Sequence, residues 1–218
     1  MQIKWLLMLV IPVSVWAQNA ETILDKVRQK YDAMNKLCVE FSQTFHWKMA
    51  GETQNSKGRL CSLSGTMFRI EQGDQTIVTD GITLWTMSKS NQQVLIDQAG
   101  NGKDENPFLK SFIEKYTRQY KAELLADESI NNVPHFHLRL AATTEDEFER
   151  EIELWIDKSS YIMNRVKQVD ANGNDSIYEI ISLRTDAPLS DKDFTLTIPE
   201  GYEAVDLQIG RASCRERV

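Results

Sequence analysis

His135-Phe136-His137 is the densest grouping of potential metal ligands in the chain, because an i, i+2 pair on a strand places both imidazoles on one face. Two imidazoles alone do not hold a metal ion, and no carboxylate or cysteine stands nearby at ligand spacing. We therefore expect no metal here, and read the pair as solvent-facing histidines flanking a buried Phe136. The acidic run Glu145-Asp146-Glu147 with Glu149 lacks the Asp-x-Asp-x-Asp-Gly order of a calcium loop and reads as a solvated hairpin loop. A nucleophile elbow, a phosphate-cradling glycine loop, a zinc-binding helix motif and Cys-x-x-Cys are all missing. The expectation is a protein without enzymatic activity or cofactor. What the chain does carry on its strands is bulky, adaptable apolar side chains: Phe41, Phe45, Trp47, Met67, Phe68, Ile70, Trp85, Met87, Leu154 and Trp155. Any sheet packed under helices needs such a face, so from composition alone it reads as a core before it reads as a ligand cavity.

The two ends of the chain bound the domain. Met1 to Ala17 has a basic start at Lys4, an apolar run from Trp5 to Val15 and small residues at Val15 and Ala17, the pattern of a signal peptide cleaved before Gln18. That run is short for a membrane span, and no cysteine stands at the cleavage point to take acyl chains, so we expect an exported, soluble product. Residues 208 to 218 are abruptly basic without strand or helix pattern, and they back-translate to a string resembling a common sequencing-library adapter. We expect them to be a translation artefact and the domain to be residues 18 to 207, a single unit without repeats.

Over that span 21 Lys and Arg face 31 Asp and Glu, a net charge of −10. Nucleic acid and anionic membrane surfaces are poor partners for such a chain. Two cysteines remain, Cys38 and Cys61, which in an oxidising compartment either form a disulfide or stay as buried thiols. The spacing leaves both open.

The elements that would position these residues alternate between two periods. Ala20 to Leu37 carries Ile23, Leu24, Val27, Tyr31, Met34 and Leu37 on one helical face. The period then switches to two, with Val39, Phe41, Phe45, Trp47 and Met49 on one side of a long strand and Gln43 interrupting them. A second strand ends near Leu63, and Met67 to Glu71, Gln75 to Trp85 and Gln93 to Asp97 form a meander whose Asp80-Gly81 signals a tight hairpin. Asn106 to Tyr116 reads as a short helix with Asn106 as cap, Pro107 at its first position and Phe108, Leu109, Phe112, Ile113 and Tyr116 as its apolar stripe. Further strands are expected at Tyr120 to Ala126, Phe136 to Ala141, Arg150 to Asp157, Tyr161 to Asp170, Ser176 to Thr185 and Phe194 to Ile198, with a turn at Asp170 to Asn174. The pattern is mainly β (α+β): about eleven antiparallel strands with two main helices covering one face, compatible with a closed barrel or an open sheet.

Several motifs in order, Gly58-x-Leu60, Phe68-Arg69-Ile70-Glu71, Gln75-x-Ile77-Val78-x-Asp80-Gly81-x-x-Leu84-Trp85, Asn106-Pro107-Phe108 and Phe194 to Gly201, make the chain resemble the LolA family of periplasmic lipoprotein carriers. The resemblance implies an incomplete antiparallel β-barrel with helices as a lid over an apolar cavity. It implies a monomeric periplasmic carrier that shields the acyl chains of lipoproteins between an inner-membrane lipoprotein-releasing transporter and an outer-membrane lipoprotein receptor. A lipid-binding or lipoprotein-sensing module of the same fold is the alternative. Cavity and lid would be drawn from Phe41, Phe45, Trp47, Phe68, Ile70, Trp85, Met87, Phe108, Leu109, Phe112, Ile113 and Leu154. One departure stands out: where the family commonly shows Arg-Pro, this chain has Ser64-Gly65. It thus lacks the arginine understood to hold the lid closed, and Arg59 and Arg69 are nearby without being aligned to it.

Overall fold

The computed structural model describes residues 19–99 and 119–208. The signal segment, the Asn106 to Tyr116 helix and nearly all of the basic tail lie outside these residues. Helix α1 (Ala20–Asp32) starts where the Asn19 side chain accepts from the Thr22 N–H at 2.8 Å, and it buries Ile23, Leu24, Val27 and Tyr31. Thirteen strands follow among the described residues: β1 (Lys36–Trp47), β2 (Glu52–Leu63), β3 (Met67–Gln72), β4 (Gln75–Thr79), β5 (Thr83–Ser88), β6 (Gln93–Gln98), β7 (Tyr120–Leu124), β8 (Glu128–Ile130), β9 (Val133–Ala142), β10 (Glu149–Asp157), β11 (Met163–Asp170), β12 (Asp175–Arg184) and β13 (Glu203–Asp206).

These strands form one curled, unclosed sheet in the order β13-β6-β5-β4-β3-β2-β1-β12-β11-β10-β9-β7, with β8 pairing β9 beyond β7. Every pairing is antiparallel except the last, where β13 runs parallel to β6. The long β1 lies at the centre, hydrogen-bonded to β2 on one side and β12 on the other. Register carries a single inner face across the sheet, since paired residues point the same way. Val39, Leu60, Ile70, Ile77 and Thr86 follow one another across β1 to β5, and Val166, Leu154 and Leu138 continue the face across β11 to β9. Helix α1 packs into this face, in one cluster with Val39, Phe41, Leu60, Phe68, Ile70, Leu84, Leu138, Leu140, Ile152 and Leu154.

Several expectations need correction. The segment from Phe194 to Ile198 is not a strand: Asp191–Phe194 is a single 3-10 turn closed by Ser190 and Asp193, and the last strand is β13. Phe194 is fully buried as a plug rather than a rung, which satisfies an apolar residue without any ladder. The three-residue β8 was missed because a polar segment this short has no readable period. Asp80-Gly81 does make a hairpin, but Thr79 pairs with Leu84, so the loop is longer than two residues. Asp80 Oδ1 accepts from the N–H groups of Ile82 and Thr83 at 2.9 and 2.8 Å, and Gly81 takes φ +91°.

Candidate ligand-binding face

Along β1 the inward residues run Leu37, Val39, Phe41, Gln43, Phe45, Trp47, and their exposure changes in one direction. Val39 and Phe41 are fully buried in the cluster that includes α1, Phe45 is half-buried, and Trp47 is 51% exposed. The inner face therefore has a sealed apolar end and an open one. At the sealed end Phe41 lies across Gly58 of β2, whose missing side chain leaves the space that the ring fills. This is the structural use of the Gly58-x-Leu60 motif: glycine under a phenylalanine, then a fully buried leucine. Phe68, Ile70 and Leu154 join the same cluster.

Polar groups interrupt the face at Gln43. Its Nε2 donates to Tyr178 Oη at 2.9 Å and to Ser176 Oγ at 3.4 Å, and its Oε1 accepts from Ser56 Oγ at 3.4 Å and from Gln72 Nε2. Gln72 Nε2 also donates to Ser56 Oγ at 2.8 Å. Sequence reading noted Gln43 as an exception but missed its partners; the available signal was a glutamine at an inward position between two phenylalanines. Beside this row, a cleft of about 170 Å³ is lined by Phe45, Phe148, Gln168, Ser176 and Tyr178 among others.

Register separates Trp85 and Met87 from the rest. They pair with Val78 and Thr76, and so point to the outer face, opposite Leu84 and Thr86. Met87, Val78 and Val94 are buried there, a second apolar layer that a period-two pattern without register could not assign to a side. Met49 leaves the strand altogether, standing 87% exposed in the β1–β2 turn. The proposed lid residues Phe108, Leu109, Phe112 and Ile113 lie outside the described residues.

The outer face also holds the cysteines. Cys38 and Cys61 are direct cross-strand partners on β1 and β2, joined by a disulfide with Cα atoms 4.1 Å apart and covered by Ala187. The histidines are buried, and Phe136 is the more exposed of the three, the reverse of the expected pattern. His135 donates through Nδ1 to the Val133 carbonyl at 2.7 Å and accepts at Nε2 from the Asn164 amide at 2.9 Å. His137 stacks on Trp155 with ring centroids 4.3 Å apart, and meets Glu153 at 2.8 Å and Glu128 at 3.0 Å. The missed β8 supplies Glu128, which also accepts from Trp155 Nε1 at 2.8 Å, and this clasp is what buries the pair. Their ring nitrogens are thus directed at separate partners. Partial burial would raise the Glu153 carboxyl, but bonds from Lys167 and His137 outweigh it and hold the group below its ordinary value. Tyr31 Oη is buried without a hydrogen bond of good geometry, and burial pushes its phenol well up despite the Met163 backbone nearby.

Comparison with known proteins agrees with this architecture. The chain is 24% identical over 206 residues to an outer-membrane lipoprotein carrier protein of Pasteurella multocida, covering 92% of this chain and 93% of that protein. It is 23% identical over 186 residues to the outer-membrane lipoprotein carrier protein of Glaesserella parasuis, covering 83% and 84%. A crystal structure of an uncharacterized conserved protein from Thermus thermophilus superposes with a TM-score of 0.59 at 14% identity, over 86% of this chain and 98% of that one, which is a likeness of fold. The model of the outer membrane lipoprotein carrier protein LolA matches residues 32–197, so the chain belongs to the LolA family, whose members are carriers rather than enzymes.

Proposed function

We propose that the chain is a periplasmic carrier that shields the acyl chains of lipoproteins on their way from an inner-membrane lipoprotein-releasing transporter to an outer-membrane lipoprotein receptor. The observation that carries this reading is the graded inner face along β1, apolar and sealed at Phe41, open to solvent at Trp47, in a sheet that does not close. Each CH₂ left in water costs about 0.8 kcal/mol, so a single sixteen-carbon chain exposed costs on the order of 12 kcal/mol. A face of Phe41, Phe45, Leu60, Phe68, Ile70 and Leu154 offers that chain a cover. Membrane and protein interior are both apolar, so transfer between them is nearly balanced, and a modest change in the protein tips loading or release. Neither ATP nor covalent chemistry is needed within the chain.

The turn between β2 and β3 favours a second reading, a lipid-binding or lipoprotein-sensing module of the same fold. Ser64 and Gly65 sit at φ +57° and +72°, where the family's Arg-Pro cannot be placed, because proline is locked near −65°. The departure is a different turn rather than a changed side chain. Native mass spectrometry with lipid extraction, on protein purified from the periplasm of a bacterium that makes acylated lipoproteins, separates the readings. Co-purifying acylated protein is expected. Free lipid in its place supports the second reading, and a bare mass together with no uptake of a fluorescent acyl probe overturns both.

A further inference from the structure

The inner face carries a row of neutral hydrogen-bonding groups and, over most of its width, no cation. Gln72, Ser56, Gln43 and the pair Tyr178 and Ser176 stand on adjacent strands β3, β2, β1 and β12, linked at 2.8 to 3.4 Å along the row. Three strand spacings give the row a span of roughly 14 Å, perpendicular to the strands. It lies one inward position beyond the sealed Phe41 and one before the half-buried Phe45, at the boundary between the closed and open ends. On β1 to β6, β11 and β12 no inward position holds Lys or Arg; Arg59 and Arg69 face outward with Cys61, and Arg165 and Lys167 outward with Glu179 and Glu153. The charged residues at inward positions of those strands, Glu52, Asp97 and Asp170, are all acidic.

Resting on the carrier reading above, we infer that this row is the subsite for the uncharged head of the ligand. It takes the ester and amide carbonyls where acyl chains join a glycerol or an amine, and it discriminates against lipids headed by a phosphate. Amide N–H and hydroxyl groups donate to carbonyl oxygens, and an amide row can exchange its internal bonds for bonds to a ligand with little net loss. A phosphodiester brought to the same depth would lose its hydration, find no Lys or Arg on these strands and meet the carboxylates of Glu149 and Asp170 in the adjoining cleft. The row also sets depth: the polar junction stops at Gln43, where the open end meets the sealed one. The cleft lined by Phe45, Phe148, Gln168, Ser176 and Tyr178 continues the row toward solvent, and the carboxylates of Glu149 and Asp170 in its lining add negative charge there.

The test is displacement of a fluorescent diacylglycerol from the whole exported protein, by two competitors with identical acyl chains. One is a diacylglyceryl-cysteine peptide with both termini blocked, the other phosphatidylglycerol. The neutral competitor is expected to displace the probe at about tenfold lower concentration. In Gln43→Leu that preference should fall toward unity while the probe still binds, and in Gln72→Lys it should shift toward phosphatidylglycerol. Equal displacement by the two competitors in the unaltered protein overturns the inference, with no variant required, and so does an unchanged ratio in folded Gln43→Leu. Failure of the unaltered protein to take up the probe at all overturns instead the carrier reading on which it rests.

Discussion

Gly58 and Phe41 decide how the sealed end of the inner face is built. A Cβ on Gly58 would fall inside the van der Waals envelope of the Phe41 ring, and that ring has no exposed side toward which to retreat. Gly58→Ala should therefore destabilise by about 1 to 3 kcal/mol, read as a lower urea midpoint with an unchanged slope. Asp157 makes a different kind of residue-scale prediction. Partial burial raises its carboxyl, but the Ser159 hydroxyl at 2.6 Å and the Ser159 and Ser160 N–H groups, both at 2.8 Å, outweigh that and bring it down to about 2. A folded pKa below the unfolded one gives stability that is fully present above about pH 4 and lost as pH falls toward 2. Asp157→Asn should flatten the acid limb of a stability profile within that window and leave the neutral region's pH slope unchanged, as urea titrations at stepped pH would record.

At the scale of elements, two connections near the centre of the sheet govern its register. The disulfide joins β1 to β2 across residues separated by 23 in sequence, both buried on the outer face. Closing a loop of that size restricts the unfolded chain, so reduction should cost about 3 kcal/mol, seen by comparing urea midpoints with and without a reductant. A midpoint that does not move would place the chain's stability wholly in its core. The β2–β3 turn is held from outside as well as by its own angles: the Ser64 N–H donates to the Asn35 carbonyl at 2.8 Å, tying the turn to the link between α1 and β1. Gly65→Pro forces φ from +72° to near −65°, and should lower stability by about 2 kcal/mol or more, read as a lower thermal midpoint. A neutral result would mean that the turn can adopt the family's usual form.

The whole sheet is protected unevenly, because its central strands are paired on both sides while β13 and β7 are each paired on one side within the main order. Hydrogen exchange should be slowest in β1, β2 and β12 and fastest in β13, and a bound acyl ligand should leave that order intact. Much of this architecture could be read from the chain: α1 from its apolar stripe, the meander from its turn residues, and the buried Phe41, Phe68, Ile70 and Leu154 from alternation. What alternation cannot do is say which of two apolar faces a residue joins when both faces are covered, and Trp85 and Met87 were misplaced for that reason. Nor can it see a cover made by a three-residue polar strand, which is how β8 came to bury His135 and His137. The row through Gln43 was invisible for a related reason, since its members lie on four strands and meet only in register.

An unclosed sheet also differs from a barrel in how it answers a load. In a barrel, strand number and shear fix the radius, so widening the interior means breaking rungs. Here β13 and β7 end the strand order without meeting, and the curl can relax by small changes of twist at every pairing with each ladder intact. The sheet is thus built like a leaf spring, with its freedom across its width and its stiffness along each strand.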